Sequence, residues 1–161
     1  LTRQTTLLQE IITELNYLVM SNADGQHFIT FFVAIYDSKS KRMKYVNSGH
    51  NPPVFVRNGS TVETMTKGST VLGAFKELPF LNVGIIEDLD EFLFCAFTDG
   101  LTEITNEEDE EFGDSEILKV VENNSKKEPK ELNDAIIKAM EDFKGKNGFN
   151  DDITLFTCKV N

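Results

Sequence analysis

The sequence predicts an α+β domain, on two observations about the order of its segments. Short apolar segments rich in β-branched and aromatic residues follow one another through the first two thirds of the chain. Helical periodicity is confined to the N-terminus and to two stretches near the C-terminus. Strands grouped beside segregated helices favour α+β over an alternating βαβ fold. The 161 residues show no repeat and no linker-like stretch, so we expect a single domain over residues 1–161.

The first third of the chain predicts one helix and a hairpin. Apolar residues recur at helical spacing over residues 5–19, which predicts an amphipathic helix that ends at the turn formers of 21–26. Residues 28–36 are almost wholly apolar, which favours a central strand covered on both faces. We expect residues 43–49 to pair with it as a hairpin, after a polar turn.

The rest of the chain predicts a second hairpin, further strands and two helices. Asn58-Gly59, between two alternating segments, is typical of a hairpin turn. Pro129 suits the first turn of a helix. The remaining predicted elements are a loop at 67–77, strands at 80–87 and 91–99, helices at 115–122 and 129–143, and a last strand at 152–160.

Charge and composition exclude several classes of function. A net charge of −11 repels nucleic-acid phosphates, so no nucleic-acid partner is expected. No apolar run reaches the length of a membrane span, so we expect no direct membrane contact. Cys95 and Cys158 lie in apolar, strand-like segments, which favours buried, reduced thiols and a cytoplasmic protein. The chain contains no phosphate-binding G-x-x-x-x-G-K-[ST] loop and no G-x-S-x-G nucleophile turn.

Two acidic positions are candidates for metal ligands because of where they lie. Asp99 ends a hydrophobic predicted strand, and Asp151-Asp152 precedes the last one. Carboxylates at strand ends are held by a rigid scaffold and open to solvent, which suits Mg²⁺ or Mn²⁺. If Asp151 and Asp152 are both extended, only one of them can point at the site that Asp99 faces. The alternative is that these aspartates are turn formers bonded to their own backbone.

His50 has two interpretations as well. It lies in NSGHNPP, between a predicted strand and two prolines that cannot donate to a sheet. It is a candidate contact for phosphate or water, and the alternative is an ordinary hydrogen-bonding loop residue.

Several segments together resemble one known family. They are FITFFVAIYD, MKYVNSGHNPPVFVRNG, VLGAF, FCAFTDGLTEITNEEDEEFG and NDDITLFTCKV. In this order they resemble the sporulation stage II protein E and sigma-B-regulator phosphatases, a bacterial branch of the metal-dependent, 2C-type protein phosphatases. The resemblance implies two packed antiparallel β-sheets flanked by helices, an α-β-β-α sandwich.

The resemblance also implies the residues of the site. Asp99 of the TDG segment and Asp151 of DDIT would be ligands in a site for two Mn²⁺ or Mg²⁺ ions. Asp152 would be the structural neighbour of Asp151. His50 and Asn47 align with a turn near the site and carry no defined role.

The implied activity is hydrolysis of phosphoserine or phosphothreonine in a protein partner. Water activated by the metal ions would attack phosphorus, so no protein nucleophile is needed. Substrates in the family are often anti-anti-sigma factors, whose dephosphorylation operates a stress or sporulation partner switch. The alternative is a catalytically inert phosphatase-like module that binds a signalling partner.

One departure from the family pattern limits these expectations. An upstream Asp-x-x-Gly-His-Gly-like segment, which supplies further metal ligands in the family, does not occur in residues 1–161. Either the N-terminal strands of the family domain are missing from these residues, or the protein lacks a complete site, and in both cases we expect the chain alone to have little or no activity. Uncovered apolar surface on strand 28–36 would favour pairing with a second copy, so a homodimer or strand exchange is expected.

Overall fold

A computed structural model describes residues 3–22, 27–149 and 151–161, and it divides the chain into two compact units. The first unit comprises Leu1–Pro52 and Met65–Leu89, and the second comprises Pro53–Thr64 and Asp90–Asn161. Each unit contains one four-stranded sheet and at least one helix. The predicted α+β class, with two sheets flanked by helices, is confirmed. Within the described residues, no helix combines the length and the apolar character needed to cross a bilayer.

The first unit consists of one helix and a mixed sheet. Strand β2 lies between β1 and β5 and also pairs with β6. The core contains Leu8 and Ile12 from the helix, Val46 from β2 and Leu72 from the loop after β5, all fully buried. The elements are α1 (Arg3–Asn22), β1 (Phe31–Asp37), β2 (Arg42–Ser48), β5 (Gly68–Ser69) and β6 (Gly84–Ile86).

The second unit is an antiparallel sheet in the order β4-β3-β7-β8, with helices packed on one face. Alternate residues of β7, namely Leu93, Cys95 and Phe97, point into the same core as Ile117 of α3 and Ile136 of α4. The elements are β3 (Val54–Arg57), β4 (Thr61–Thr64), β7 (Phe92–Phe97), α2 (Asp99–Thr102), α3 (Gly113–Asn124), α4 (Pro129–Lys144) and β8 (Leu155–Val160).

Local sequence signals fixed several of these elements. Asn58 and Gly59 both have positive φ, at 48° and 70°, as the hairpin between β3 and β4 requires. Pro129 begins α4, and Glu128 before it forms a reciprocal capping box with Glu131. The predicted hairpin between β1 and β2 is confirmed, with Phe31 opposite Ser48.

Other predictions about the strands were wrong. The segment 28–36 forms β1, which pairs only with β2 among the described residues, and its side chains are half-buried or exposed. Within the described part of the sheet it is an edge strand rather than a central one. The prediction failed because an apolar run indicates burial and does not specify which element covers it. The segment 67–77 contains β5, which pairs with β2 in parallel, so this sheet is mixed rather than antiparallel. Strand β5 has only two residues, too few for a hydrophobic pattern to reveal.

Both thiols are predicted to be buried, and the structure confirms this for Cys95 and not for Cys158. Cys95 on β7 is fully buried, and burial raises its pKa to about 11. Cys158 on β8 is half-buried, and both are free cysteines. Cys95 is therefore a small core residue, protonated near neutral pH.

Among the described glycines of the first unit, Gly68 is the one where an added Cβ atom would come closest to another backbone atom. A Cβ atom at this position would lie 1.7 Å from the carbonyl oxygen of Asn47 on the neighbouring strand β2. We expect Gly68→Ala to lower the free energy of unfolding by about 3 kcal/mol, the upper end for overpacking, because a backbone atom is obstructed. Chemical denaturation measures this loss.

Gly148→Ala is the matched control for this substitution. A Cβ atom at Gly148 meets nothing within 4 Å. Its effect should stay within about 0.5 kcal/mol, as for other open surface positions. Equal stabilities for the two variants would contradict the close approach of β5 to β2.

Candidate metal centre

The candidate centre lies at one end of the second unit's sheet, where β7 ends and β8 begins. The two strands are antiparallel, with Phe97 opposite Leu155. The pairing extends one residue further, because the Thr98 amide donates to the Thr154 carbonyl at 3.0 Å. Segments that lie far apart in the sequence, Asp99-Gly100 and Asp151-Asp152, therefore meet at the same edge.

The hydroxyl of Thr98 joins the two segments a second time. Its oxygen accepts a hydrogen bond from the Thr154 amide at 2.9 Å and donates to the Asp152 carbonyl at 3.3 Å. The Thr98 side chain thus provides hydrogen-bond partners for the Thr154 amide and the Asp152 carbonyl, which lie beyond the regular pairing of the two strands. This connection holds residues 152–154 beside the start of α2.

Gly100 lets the two segments approach each other closely. A Cβ atom at Gly100 would lie 2.5 Å from the carbonyl oxygen of Asp152 and 3.5 Å from the Cβ atom of Asp151. Only a residue without a side chain fits the first distance. The absence of a Cβ atom at Gly100 therefore allows residues 151 and 152 to lie against the residue that follows Asp99.

The two carboxylates are exposed and similarly held. One oxygen of Asp99 accepts from the Gly100 amide at 3.0 Å, and one oxygen of Asp151 accepts from the Asp152 amide at 2.7 Å. These local bonds agree with the turn-forming alternative for both residues. They also fix each carboxylate while using only part of its capacity, since a carboxylate has roughly four acceptor sites. Turn formation and ligand binding are thus compatible here.

The carboxylate oxygens of Asp99 and Asp151 are chemically suited to a hard divalent cation, but two carboxylates are few ligands for one ion. Carboxylate oxygens are the ligands that Mg²⁺ and Mn²⁺ prefer. Within the described ranges, no group of three or more His, Cys, Asp or Glu side chains is arranged to hold a metal ion. Because Mg²⁺ takes roughly six oxygen ligands, Asp99 and Asp151 would form part of a centre, completed by water or by further protein ligands.

The structure changes the local setting predicted for these aspartates. Asp99 is the first residue of α2 rather than the end of a strand. Strand β8 begins at Leu155, so Asp151 and Asp152 precede it, and the alternation of strand side chains does not apply to them. Asp152 contributes backbone groups here, with its amide bonded to Asp151 and its carbonyl to Thr98.

Asn47 and His50 belong to the first unit, where they form a closed turn. Asn47 is buried, and its amide group donates to the carbonyls of His50 at 2.9 Å and Met65 at 3.0 Å. Its side-chain oxygen accepts from the His50 amide at 2.8 Å. The ring nitrogen Nδ1 of His50 lies 3.4 Å from the hydroxyl of Thr30. These bonds give Asn47 a structural role, and a role near the metal centre stays a prediction.

Sequence reasoning did not single out Thr98 as a residue of the site. Thr98 is the first residue of the TDG segment, so the family motif contained the residue without indicating its role. Its partner Thr154 is 56 residues away, and nothing in the sequence pattern specifies that contact.

Comparison with known families identifies the class of protein. The family model described as Stage II sporulation protein E (SpoIIE) matches residues 1–161. The chain therefore belongs to this family, and the resemblance inferred from its motifs is confirmed.

Two curated proteins are similar to part of this chain, and the name of one of them states an activity. Phosphoserine phosphatase RsbP of Bacillus subtilis is 25% identical over 99 residues, which cover 62% of this chain and 24% of that protein. Protein IcfG of Synechocystis sp. is 25% identical over 107 residues, covering 66% of this chain and 17% of that protein. The chain thus spans less than a quarter of the length of these relatives.

Solved structures support the fold. The SiaA-PP2C domain of Pseudomonas aeruginosa superposes with a TM-score of 0.80 at 14% identity, covering 94% of this chain and 60% of that one. The phosphatase domain of SpoIIE from Bacillus subtilis, presoaked with Mn, gives a TM-score of 0.66 at 15% identity, covering 100% and 74%. At these identities the likeness shows the fold alone, which is that of PP2C-type phosphatase domains.

Replacing Thr98 by valine tests the connection between the two segments. Thr98→Val removes the acceptor of the Thr154 amide and the donor to the Asp152 carbonyl. We expect the free energy of unfolding to fall by about 1 kcal/mol, the usual net worth of such bonds, and the Thr154 amide to exchange faster with solvent. Denaturation and amide hydrogen exchange measure the two effects.

Thr64→Val, at an exposed position of β4, is the control for the same chemical change. It should alter stability by less than about 0.5 kcal/mol. Unchanged exchange at Thr154 in the Thr98 variant would contradict the connection.

Proposed function

We propose that this chain provides part of the centre of a divalent metal-dependent phosphoserine/phosphothreonine protein phosphatase. The convergence of Asp99 and Asp151 at one sheet edge is the observation that carries the proposal. The name of the relative RsbP, a phosphoserine phosphatase, and the Mn-presoaked SpoIIE neighbour support it. The substrate would be a phosphorylated signalling protein such as an anti-anti-sigma factor, and the domain would then act in a cytoplasmic stress or sporulation switch.

Asp99 and Asp151 would hold Mn²⁺ or Mg²⁺ through their carboxylate oxygens. When bound, a divalent cation supplies Lewis-acid activation of water and neutralises charge on a phosphoryl group. The chain's own part is to present the two carboxylates together. The Thr98 hydroxyl and the close approach at Gly100 hold together the two segments that carry them.

Electrostatics explain why this centre needs cations to receive a phosphate. Asp99 and Asp151 are exposed acidic residues, and the chain as a whole has a net charge of −11. A phosphoserine dianion is repelled by such a surface. Binding of the substrate at this edge therefore depends on cations that outweigh the carboxylates.

The nucleophile is expected to be water rather than a side chain of the protein. Burial raises the pKa of the Cys95 thiol to about 11 and removes it from contact with solvent. A thiol in that state is a poor nucleophile near neutral pH.

One observation favours a second candidate, an inert phosphatase-like module that binds a signalling partner. Among the residues that the structure describes, no group of three potential ligands surrounds the two aspartates. A chain that binds cations weakly would retain the fold and its surfaces without turnover. The two candidates differ in whether a longer form of the protein has metal-dependent activity.

A phosphatase assay separates the two candidates. The 161-residue chain and a version extended upstream are incubated with a phosphoserine protein, with and without Mn²⁺. We expect little turnover from the chain and Mn²⁺-dependent turnover from the extended protein. Asp99→Asn and Asp151→Asn should each lower the activity of the extended protein by at least about 100-fold, since even residues that merely support metal ligands contribute 10–100-fold.

Asp134→Asn is the matched control, because it makes the same change at an exposed position of α4. It should leave turnover unchanged. An extended protein that stays inactive at every Mn²⁺ concentration would contradict the phosphatase proposal and favour the binding module. Robust turnover from the 161-residue chain would contradict the expectation that its centre is incomplete.

A further inference from the structure

Asn147 forms a second junction between the two segments that carry the aspartates. It lies in the loop between α4 and Asp151, and its side-chain amide donates to two backbone carbonyls of another loop. The acceptors are the carbonyls of Thr105 at 3.0 Å and Asn106 at 2.6 Å. One side chain thus joins a residue that shortly precedes Asp151 in the sequence to the loop that follows α2.

The loop around Asn147 is itself well held. The Asn147 amide donates to the Lys144 carbonyl at 3.1 Å, and the Lys144 ammonium donates to the Asn147 carbonyl at 3.0 Å. The same ammonium lies 5.1 Å from the centre of the Phe149 ring, within cation–π range. Asn147 therefore projects from a fixed backbone.

The loop that receives these bonds is also closed. The side-chain oxygen of Asn106 accepts from the amides of Glu108 and Glu110, both at 2.9 Å. The Phe112 amide donates to the Ile104 carbonyl at 2.8 Å across the base of the loop. Asn147 thus donates to a loop that is already held by its own hydrogen bonds.

Each end of the junction leads to one of the two aspartates. On one side, helix α2 connects Asp99 to the loop, with the Thr102 hydroxyl and the Glu103 amide bonded to the Asp99 carbonyl at 3.1 and 2.9 Å. On the other side, Asn147 shortly precedes Asp151 in the chain. The bonds of Asn147 therefore fix a residue that shortly precedes Asp151, and those of Thr98 fix residues 152 and 154, which follow it.

We propose that Asn147 is a positioning residue, which sets the place of Asp151 relative to Asp99 for binding a divalent cation. The proposal rests on the function proposed above, because it concerns the same two carboxylates. A carboxamide suits this role, since it offers two donors to two adjacent carbonyls and adds no charge beside the aspartates. Residues that orient metal ligands commonly govern metal affinity without touching the ion.

The test compares Asn147→Ala with the unmodified chain by nuclear magnetic resonance. In the absence of metal, the Gly100 and Asp152 amides report on Asp99 and Asp151, whose oxygens they bind. We expect both amides to exchange faster in the variant, with the amides of β3 unchanged. On titration with Mn²⁺, the concentration that half-broadens the Gly100 signal should rise about tenfold.

Asn124→Ala is the control, because Asn124 also donates its side-chain amide to a carbonyl, that of Val120 at 2.7 Å within α3. It should change neither exchange at Gly100 and Asp152 nor the Mn²⁺ titration. Equal effects of the two substitutions, or none from Asn147→Ala, would overturn the positioning role.

The two readouts separate this proposal from the function on which it rests. If the unmodified chain shows no selective broadening near Asp99 and Asp151, the metal centre itself is contradicted, and the positioning role is overturned with it. If broadening is selective and Asn147→Ala leaves the titration unchanged, only the positioning role is overturned.

Discussion

The antiparallel pairing of β7 with β8 is the interaction on which the candidate centre depends. It joins positions 56 residues apart and sets their register, so that the end of one strand faces the beginning of the other. The core beneath, built from alternate residues of β7 and from α3 and α4, keeps the register, because a shift by one residue would turn Leu93, Cys95 and Phe97 out of it. The placement of Asp99 beside Asp151 thus follows from hydrophobic packing.

Local signals in the sequence predicted most of the elements, and long-range pairing explains the failures. Apolar periodicity located α1 and α4, and Asn58-Gly59 located the hairpin between β3 and β4. Strand β5 was missed because its two residues are defined by hydrogen bonds to β2 and not by their own pattern. The apolar residues of β1 correctly predict a strand, but the position of that strand in the sheet depends on which other strands pair with it.

The site was predicted only in part. Asp99 and Asp151 were selected by their place beside hydrophobic segments and by family resemblance, and the structure brings their segments together. The contributions of Thr98 and Gly100 could not be foreseen, since both consist of contacts with residues 152–154. Asn47 shows the converse case, because a conspicuous motif residue proves to be committed to a buried turn of the first unit.

The proposed function requires Asp99 and Asp151 to hold a cation together, and a double-mutant cycle on Mn²⁺ affinity tests this most directly. The cycle compares the unmodified chain with Asp99→Asn, Asp151→Asn and the double variant, by calorimetric titration. If the carboxylates share an ion, the second substitution costs much less after the first, with a coupling above about 0.5 kcal/mol. Losses that add within that margin would show that the two carboxylates act independently, and would contradict the account.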